Sequence, residues 1–398
     1  MTKSYLNIIA ETLVLVFTFA CPSFAQESSD EENNKEINVA GFYDSAHHWY
    51  DIHDEDRIIE PLSDQKRYDP SEVTEISDNI LLFQKSNGGW AKNYDMRAIL
   101  TKEQIAAVLN AKDETNTTFD NGATHSQIQY LAEAFTATKV EKYKEACIRG
   151  IEFILEAQYG NGGWPQFYPD TSGYRKYITF NDGAMIGVME MLHRLVTKSP
   201  EYSFVDAELY EKIKRSFLIG IDCILKSQIK EDGELTVWCQ QHDNISLQPQ
   251  NARTFEPAAI CNGESAGIIK ILMSVKNPGE EIINSVQSAV KWFEKSKILG
   301  VKPKRIWSTK EDYQYHSTST DVIAVDDPDA PPVWARFYEL CTHKPMFCRR
   351  DGKIVYKLSD VERERRTGYA WYIYSPQEIL DHYPVWQKRW APELNVLE

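Results

Sequence analysis

The sequence predicts an all-α fold, an (α/α) toroid or barrel built from repeated helix pairs, with a small β appendage near the C-terminus. Three observations support this prediction. A motif recurs in the middle of the 398-residue chain, helix-type apolar periodicity surrounds each copy, and no regular strand pattern lies between the copies. Recurring helix pairs bury their apolar faces against their neighbours, in stacked or closed arrays. With only three or four copies, a closed ring is favoured over an open solenoid.

The repeat is clearest in two copies that share a glutamine and an NGGW sequence. Residues 80–90 read ILLFQKSNGGW and residues 154–164 read ILEAQYGNGGW, and the two copies are 164 − 90 = 74 residues apart. A weaker copy begins at residues 224–228. Each unit is interpreted as an outer helix, a Gly-rich turn with tryptophan, and an inner helix. The motif turns should therefore meet at one rim of the ring.

The tryptophans of the repeat have two possible roles. They can be platforms for sugars at the rim, or they can anchor each turn in the core, which is the role we expect for Trp90 and Trp164. A faint fourth copy of the motif is read at residues 290–300, leading to Trp307.

A pair of acidic turns provides the first candidate site. Residues 118–124 read TFDNGAT and residues 179–185 read TFNDGAM, and each precedes an apolar-periodic run. Asp120 and Asp182 are either N-caps of the helices that follow or two carboxylates that converge on one site. Converging carboxylates can hold a hard divalent cation or act as an acid and a base.

The C-terminal part of the chain departs from the helical pattern. Residues 350–353 contain the Asp-Gly turn of a hairpin, and residues 354–356 can pair as a short strand, which predicts the β appendage. Cys341 and Cys348 are close enough in sequence for a disulfide, and two free thiols are the equal alternative. Because no CxxC pair is present, zinc is not expected.

The N-terminus predicts export. Residues 1–25 resemble a cleaved signal peptide, with a short apolar run and Ser23-Phe24-Ala25 before the cleavage point at Gln26. A lipoprotein with Cys21 at its new terminus fits less well, so the location is secreted or periplasmic. Residues 26–60 form an acidic lead that becomes structured around residues 42–50, and residues 61–398 form the toroid domain.

Composition limits the partners. The net charge is −15, which argues against nucleic acid as the main partner. No run after the signal is long and apolar enough to span a membrane. We expect a monomer.

Three arginines stand inside aromatic or Asp-Gly motifs of this acidic chain. Arg253 lies in NARTFE, Arg336 in WARFYE and Arg350 in CRRDG. A planar guanidinium pairs with carboxylates through two hydrogen bonds, so these residues are candidates to recognise an acidic substrate. Structural salt bridges are the alternative.

These motifs together resemble the pectate lyases of polysaccharide lyase family 10, from about Ile76 to Tyr372. The resemblance is carried by the NGGW turns, DNGAT at 120–124, NDGAM at 181–185, WCQQHD at 238–243, ARTFE at 252–256 and WARFY at 334–338. It implies an (α/α) toroid and calcium-assisted β-elimination of α-1,4-polygalacturonate, which gives 4,5-unsaturated oligogalacturonates.

The resemblance also implies site residues by position. Asp120 and Asp182 correspond to the calcium-site acids, Arg253 to the catalytic base, and Arg336 and Arg350 to binders of substrate carboxylates.

Other readings stay open at this point. Arg336 is the second candidate for the base, and a shift of one residue would exchange Arg350 for Arg349. An α/α-barrel glycoside hydrolase would use Asp182 and Glu256 with water and no metal. A non-catalytic pectin-binding protein would need no base.

Overall fold

The computed structural model describes residues 36–52 and 57–398 of the chain. The helices in these residues are α1 (Tyr43–Asp51), α2 (Val73–Phe83), α3 (Lys102–Asn110), α4 (His125–Thr138), α5 (Glu141–Ala157), α6 (Ala184–Val196), α7 (Ala207–Ser227), α8 (Asn262–Ser274), α9 (Glu280–Lys295), α10 (Arg363–Thr367) and α11 (Ser375–Trp390). The strands are β1 (Ile178–Thr179), β2 (Lys230–Glu231), β3 (Glu234–Leu235), β4 (Gln241–His242), β5 (Ile260–Cys261), β6 (Val301–Asp312), β7 (Ser317–Asp326), β8 (Trp334–Ala335), β9 (Phe337–Tyr338), β10 (Pro345–Cys348), β11 (Ile354–Val355) and β12 (Tyr372–Ile373).

The long helices form an inner and an outer row. Helices α4, α6, α8 and α11 contact one another in order as the inner row, and α2, α5, α7 and α9 follow one another in the outer row. Burial matches this arrangement, because α6 buries most of its circumference whereas α7 buries one stripe at helical spacing. The predicted helical class built from helix pairs is confirmed. The ring is not a closed barrel in the described residues, because the chain between α9 and α11 forms mostly strands instead of a continuing helix pair.

Each repeated tryptophan is a core anchor. Trp90, Trp164 and Trp238 are fully buried. Their indole N–H groups donate to backbone carbonyls of the preceding outer helix, from Trp90 to Ile80, from Trp164 to Ile154 and from Trp238 to Ile224, at 2.7–2.9 Å. The expectation that Trp90 and Trp164 lie in the core is therefore confirmed.

The repeated glutamine joins neighbouring outer helices. The side-chain amide of each copy donates to a backbone carbonyl of the next outer helix, from Gln84 to Ala146, from Gln158 to Ser216 and from Gln228 to Ser285, at 2.9–3.2 Å. The glutamine thus recurs in the copies because its side chain makes the same hydrogen bond to the next outer helix each time.

The predicted end of the fourth copy is wrong. Trp307 is 87% exposed on β6, whereas buried Trp334 donates to the carbonyl of Phe293 in α9 at 2.8 Å, as the other tryptophans do. The β6–β7 hairpin is inserted between α9 and Trp334. This insertion hides the true spacing of the fourth copy.

The predicted β appendage is confirmed and is larger than expected. Strands β10 and β11 pair across a turn in which Gly352 has a φ of +84°, and they belong to a four-stranded sheet in the order β11-β10-β9-β5. The long β6–β7 hairpin was not predicted. Most side chains of β6 are exposed on both faces, so its sequence lacks the alternation that marks a strand.

The N-terminal lead joins the helical body from residue 37 onward. Ile37, Phe42 and Trp49 are buried in the main core, and Ser45 Oγ donates to the carbonyl of Asn121 at 2.8 Å. The predicted signal peptide and its predicted cleavage point lie outside the described residues. Within those residues, no helix has the length and apolar character needed to cross a membrane. Cys341 and Cys348 are free thiols.

Candidate active site

A cleft of about 1300 Å³ gathers most of the predicted site residues. Asp182, Arg253, Arg336 and Arg350 all line it. Asp120 is only 2% exposed and reaches the cleft through Lys92, which lines the wall. The structure therefore brings the five predicted residues to one place.

The two acidic turns adjoin, and their carboxylates do not cap helices. Asp120 opens the turn Asp120–Gly122 and Asp182 lies in the turn Asn181–Gly183, and the two turns contact each other. The helices α4 and α6 that follow have no side-chain cap hydrogen bond at their first turn. Asp182 itself has a φ of +49°, a left-handed conformation that aspartate tolerates better than most residues. The N-cap interpretation is therefore wrong, and the carboxylates remain available for a ligand.

Asp120 is a buried anion, and one of its two carboxylate oxygens is paired with a lysine. Lys92 Nζ lies 2.5 Å from its Oδ2. Its Oδ1 is buried and makes no hydrogen bond within the described residues. Burial alone would raise the pKa of Asp120, but Lys92 and Arg253 more than offset it, and the pKa lies below its usual value.

Asp182 lies in a less favourable environment for its charge. Its Oδ2 accepts a hydrogen bond from Asn181 Nδ2 at 2.7 Å, and Arg253 Nη2 lies 3.9 Å away. Burial and the nearby Asp120 raise the pKa of Asp182 to about 7, despite the opposing charge of Arg253. Two neighbouring carboxylates that repel each other are the arrangement that a cation relieves.

The donor set fits calcium. Ca²⁺ takes six to eight oxygen ligands in irregular geometry, and it accepts carboxylates, carbonyls and water. Asp120 Oδ1 has no partner within the described residues, and the Asp182 carboxyl is poorly stabilised without a cation. The described part of the chain contains no group of three or more acidic, His or Cys side chains in metal-binding proximity, so the remaining ligands would be water and substrate.

Arg253 is held by a glutamate of its own. Its Nε and Nη2 donate to the two oxygens of Glu256 at 2.9 and 2.5 Å, and its backbone N–H donates to Oε2 at 3.1 Å. Burial alone would lower the pKa of Arg253, but Glu256 and Asp182 raise it well above its usual value. In this structure Arg253 is a firmly held cation.

Arg336 has a similar pairing deeper in the wall. Its Nη2 pairs with Glu264 and donates to Asn181 Oδ1 at 3.2 Å. Its guanidinium carbon lies 4.4 Å from the centre of the Tyr369 ring. Burial opposes the charge, but Glu264 raises the pKa of Arg336 well above its usual value. Its Nε is buried and has no hydrogen-bond partner in the described residues.

Arg350 differs because it shares its glutamate. Its Nη2 pairs with Glu364 Oε1, and the Nη2 of Arg365 donates to the same oxygen at 2.6 Å. The guanidinium carbons of Arg253, Arg350 and Arg365 lie 4.6–4.9 Å from the centre of the Phe255 ring. Three cations thus surround one aromatic ring, and two of them have a single carboxylate between them.

The structure distinguishes the two adjacent arginines of the CRRDG motif. Arg350 lines the cleft, whereas Arg349 pairs with Glu362 at 2.9 Å and is not among the residues that line it. By position, Arg350 is therefore the arginine of this motif that a ligand in the cleft can reach.

Comparison with known proteins identifies the family. The family model described as pectic acid lyase matches residues 84–380. The chain belongs to the pectic acid lyase family. It is thus a polysaccharide lyase of the pectate type, and the predicted resemblance is confirmed.

Solved structures agree with this membership. The chain is similar to the family 10 polysaccharide lyase from Cellvibrio cellulosa, with 29% identity, a TM-score of 0.66, and coverage of 79% of this chain and 92% of that one. A second structure of that lyase, an aspartate-to-alanine variant in complex with trigalacturonic acid, gives the same values. A search of curated proteins found no match.

Several residues of this pectic acid lyase were not predicted. Lys92 follows Trp90 by two residues, so its proximity to the repeat was visible but its partner Asp120 was not. Glu264 and Glu364 hold Arg336 and Arg350 from positions 72 and 14 residues away in sequence. Such ion pairs depend on the tertiary fold, and one sequence without relatives gives no signal for them.

The hydrolase alternative does not fit this lyase. It needs Glu256 as a free acid or base, but Glu256 is 1% exposed and both of its oxygens accept hydrogen bonds from Arg253. Glu256 therefore positions an arginine and has no access to a glycosidic bond.

Proposed function

We propose that this pectate lyase cleaves α-1,4-polygalacturonate by calcium-assisted β-elimination and releases 4,5-unsaturated oligogalacturonates. The observation that carries the proposal is a cleft lined by Asp182 and three arginines, with the Asp120 turn directly beside the Asp182 turn. Such a cleft supplies the positive charge that an acidic sugar chain needs and the oxygen ligands that calcium needs. The trigalacturonic acid bound by the similar Cellvibrio cellulosa lyase supports oligogalacturonates as substrates.

The chemistry explains why this charge is useful. The base takes the proton from C5, the C4–O bond breaks, a double bond forms between C4 and C5, and the departing oxygen takes up a proton. Negative charge builds on the neighbouring carboxylate while the C5 proton leaves. Preorganised cations at that carboxylate lower the barrier, because they stabilise the transition state more than the ground state.

Asp120 and Asp182 would hold the calcium ion. When bound, Ca²⁺ would neutralise charge on the substrate carboxylate. Lys92 keeps Asp120 ionised and ready to bind, since it holds Oδ2 and leaves Oδ1 unpaired within the described residues.

Arg253 and Arg336 suit the binding of substrate carboxylates. Each is oriented by its own buried glutamate, and each lines the cleft. Their raised pKa values keep both guanidiniums charged while they bind the substrate. The same contacts oppose a role as base, because a base must first be neutral.

The sequence assigns the base to Arg253, and that assignment stays a prediction. The ion pairs of the structure favour Arg350 instead. Arg350 shares Glu364 with Arg365, so these two arginines and their one glutamate together carry a net positive charge. Arg350 and Arg365 each donate twice to this one carboxylate, whereas Arg253 is paired with Glu256. In this proposal Arg350 takes the C5 proton, and Arg253 is the alternative that kinetics can test.

The product separates this proposal from the other activities. The double bond between C4 and C5 is conjugated with the carboxylate and absorbs ultraviolet light, whereas hydrolysis gives no such product. We expect absorbance to rise when the protein acts on polygalacturonate with calcium. New reducing ends without absorbance would indicate a hydrolase, and binding without new ends would indicate a pectin-binding protein.

Export is part of the proposal because its substrate is an extracellular polymer. Export is supported by the apolar run that ends at Ser23-Phe24-Ala25. The acidic lead of residues 26–60 and the catalytic domain of residues 61–398 follow it. We expect mass spectrometry of the exported protein to find Gln26 at the N-terminus. An intact Met1 or a lipidated Cys21 would contradict this. We also expect a monomer by light scattering.

A further inference from the structure

The β6–β7 hairpin is fixed against α10 by two arginines. Arg363 donates to the carbonyls of Thr309 and Thr320 at 2.6 and 3.0 Å. Arg366 makes two hydrogen bonds to Asp321, at 2.9 and 2.6 Å. These contacts bond both strands of the hairpin to one short helix. The hairpin is therefore held in a fixed position against the rest of the domain.

The anchored hairpin forms a wall of the cleft. Arg305, Tyr315 and His316 line it. The Tyr315 ring centre lies 5.5 Å from the guanidinium carbon of Arg350, so the hairpin tip is directly beside the proposed base. Arg305 Nη2 donates to the carbonyl of Thr367 at 3.4 Å, close to Arg365 in sequence. The wall thus continues the arginine cluster that surrounds Phe255.

Arg305 differs from the other arginines of the cleft in its partners. Within the described residues, it is the one cleft-lining arginine that has no carboxylate within 4.0 Å. Its Nη1 donates to Thr320 Oγ1 at 2.9 Å, and its remaining contact is the long bond to Thr367. The six others each pair with an aspartate or glutamate: Arg57, Arg175, Arg253, Arg336, Arg350 and Arg365. Since a guanidinium has five N–H donors, most of the Arg305 fork is open to a ligand.

His316 offers a second polar group beside Arg305. Its Nε2 is buried and has no hydrogen-bond partner in the described residues, and its Nδ1 lies 3.9 Å from Glu364 Oε1. Burial and the nearby Arg365 and Arg350 lower the pKa of His316, against the effect of Glu364. The ring is thus an uncharged part of the hairpin wall next to Glu364.

We propose that Arg305 forms a further subsite on the hairpin wall, where it binds the carboxylate of an additional galacturonate unit of the chain. The open guanidinium fork on a fixed wall matches a carboxylate bidentately. This inference rests on the proposed function for the identity of the sugar acid. The subsite lengthens the stretch of polymer that the cleft holds, so it contributes to the binding of long chains and not to the chemical step.

The test measures binding separately from turnover. Isothermal titration calorimetry with hexagalacturonate, in EGTA, compares the wild type with Arg305→Ala, Arg305→Lys and Lys304→Ala. Lys304 is the matched control, because it is an exposed cation on the same strand that does not line the cleft. A neutral α-1,4-linked galactose hexamer serves as the uncharged ligand. Thermal unfolding of each variant checks that the hairpin has folded.

We expect Arg305→Ala to weaken hexagalacturonate binding about 3- to 30-fold, the range for a partly exposed charge-assisted hydrogen bond. Arg305→Lys should recover part of the loss, Lys304→Ala should stay within about twofold, and the neutral hexamer should show no dependence on Arg305. Equal losses in Arg305→Ala and Lys304→Ala, or no loss in Arg305→Ala, would overturn the subsite. If Arg305 governs binding but the wild type forms no unsaturated product, the proposed function fails while the subsite stands.

Discussion

Arg253 and Glu256 form a two-bond ion pair beside Asp182. The bonds are 2.9 Å from Nε to Oε2 and 2.5 Å from Nη2 to Oε1, and Glu256 is 1% exposed. Removal of Arg253 would leave the charge of Glu256 buried without a partner, which costs several kcal/mol in typical cases. The pair therefore fixes a guanidinium in the cleft and links the stability of this wall to the integrity of the site.

The arginine kinetics test the roles proposed for the cleft. Arg350→Ala should lower kcat about 10²- to 10⁴-fold, the usual contribution of a general base, with a smaller change in KM. Arg253→Ala and Arg336→Ala should mainly raise KM, because they remove carboxylate binding. Steady-state rates on polygalacturonate at saturating calcium provide the comparison.

A control is needed because Arg253→Ala leaves the buried carboxylate of Glu256 without its partner. The double variant Arg253→Ala/Glu256→Gln removes the unpaired charge and should recover stability without recovering KM. If Arg253→Ala loses kcat while Arg350→Ala keeps it, the base is Arg253, as the sequence assigns.

Asp120→Asn and Asp182→Asn should raise the calcium concentration needed for half-maximal activity, by at least about tenfold each. Both substitutions keep the size of the side chain and remove the charge that binds a hard cation. Because neither aspartate caps a helix, we expect little change in the helices by circular dichroism. Calcium titration of activity is the measurement, and an unchanged calcium requirement in both variants would remove these residues from the metal site.

Calcium binding should depend on pH through Asp182. Burial and Asp120 raise the pKa of Asp182 to about 7, so below that pH a proton competes with the cation. Apparent calcium affinity should therefore rise up to about tenfold per pH unit between pH 5 and pH 7, and level off above. In EGTA, the stability of the fold should change with pH in the opposite direction. The folded state binds this proton more tightly than the unfolded state, so the contribution of Asp182 to stability is lost as pH rises from about 4 through 7.

The measurement is calcium titration by calorimetry from pH 5 to pH 8, with Asp182→Asn as control. The variant has no carboxyl to titrate at this position and should show a flatter profile. A wild-type affinity that is constant over this range would contradict the assignment of Asp182 as a ligand.

Gly162→Ala should destabilise the fold, by about 2 kcal/mol or more. Gly162 has a φ of +94°, and a Cβ there would lie 2.0 Å from the carbonyl oxygen of Ile219 in the next outer helix. Gly160→Ala is the control in the same turn, since a Cβ at Gly160 meets nothing within 4 Å. Urea unfolding of both variants compares them, and equal stability would mean that the turn and α7 can separate without cost.

The sequence predicted the parts of this protein that repeat. Glutamine and tryptophan recur because each copy makes the same bonds to neighbouring helices, such as the one from Gln84 to Ala146. Periodicity and motif spacing therefore revealed the helix pairs and the turns of Asp120 and Asp182. The β6–β7 hairpin was missed because a mostly exposed strand has no buried face to impose alternation on its residues.

The partners of the arginines were missed for a different reason. Arg336 and Glu264 are 72 residues apart, and Arg350 and Glu364 meet only after α10 is placed beside the β appendage. The role of each arginine, including which one is the base, depends on the carboxylates placed around it by the fold. The sequence motifs do not show those carboxylates.

Formation of unsaturated product is the most direct test of calcium-assisted elimination. Initial rates on polygalacturonate are followed by ultraviolet absorbance for the wild type with calcium, with excess EGTA, and after calcium is restored. We expect a rate that falls to background in EGTA and returns fully with calcium. A rate that is unchanged in EGTA, or polymer cleavage without any absorbance, would contradict it.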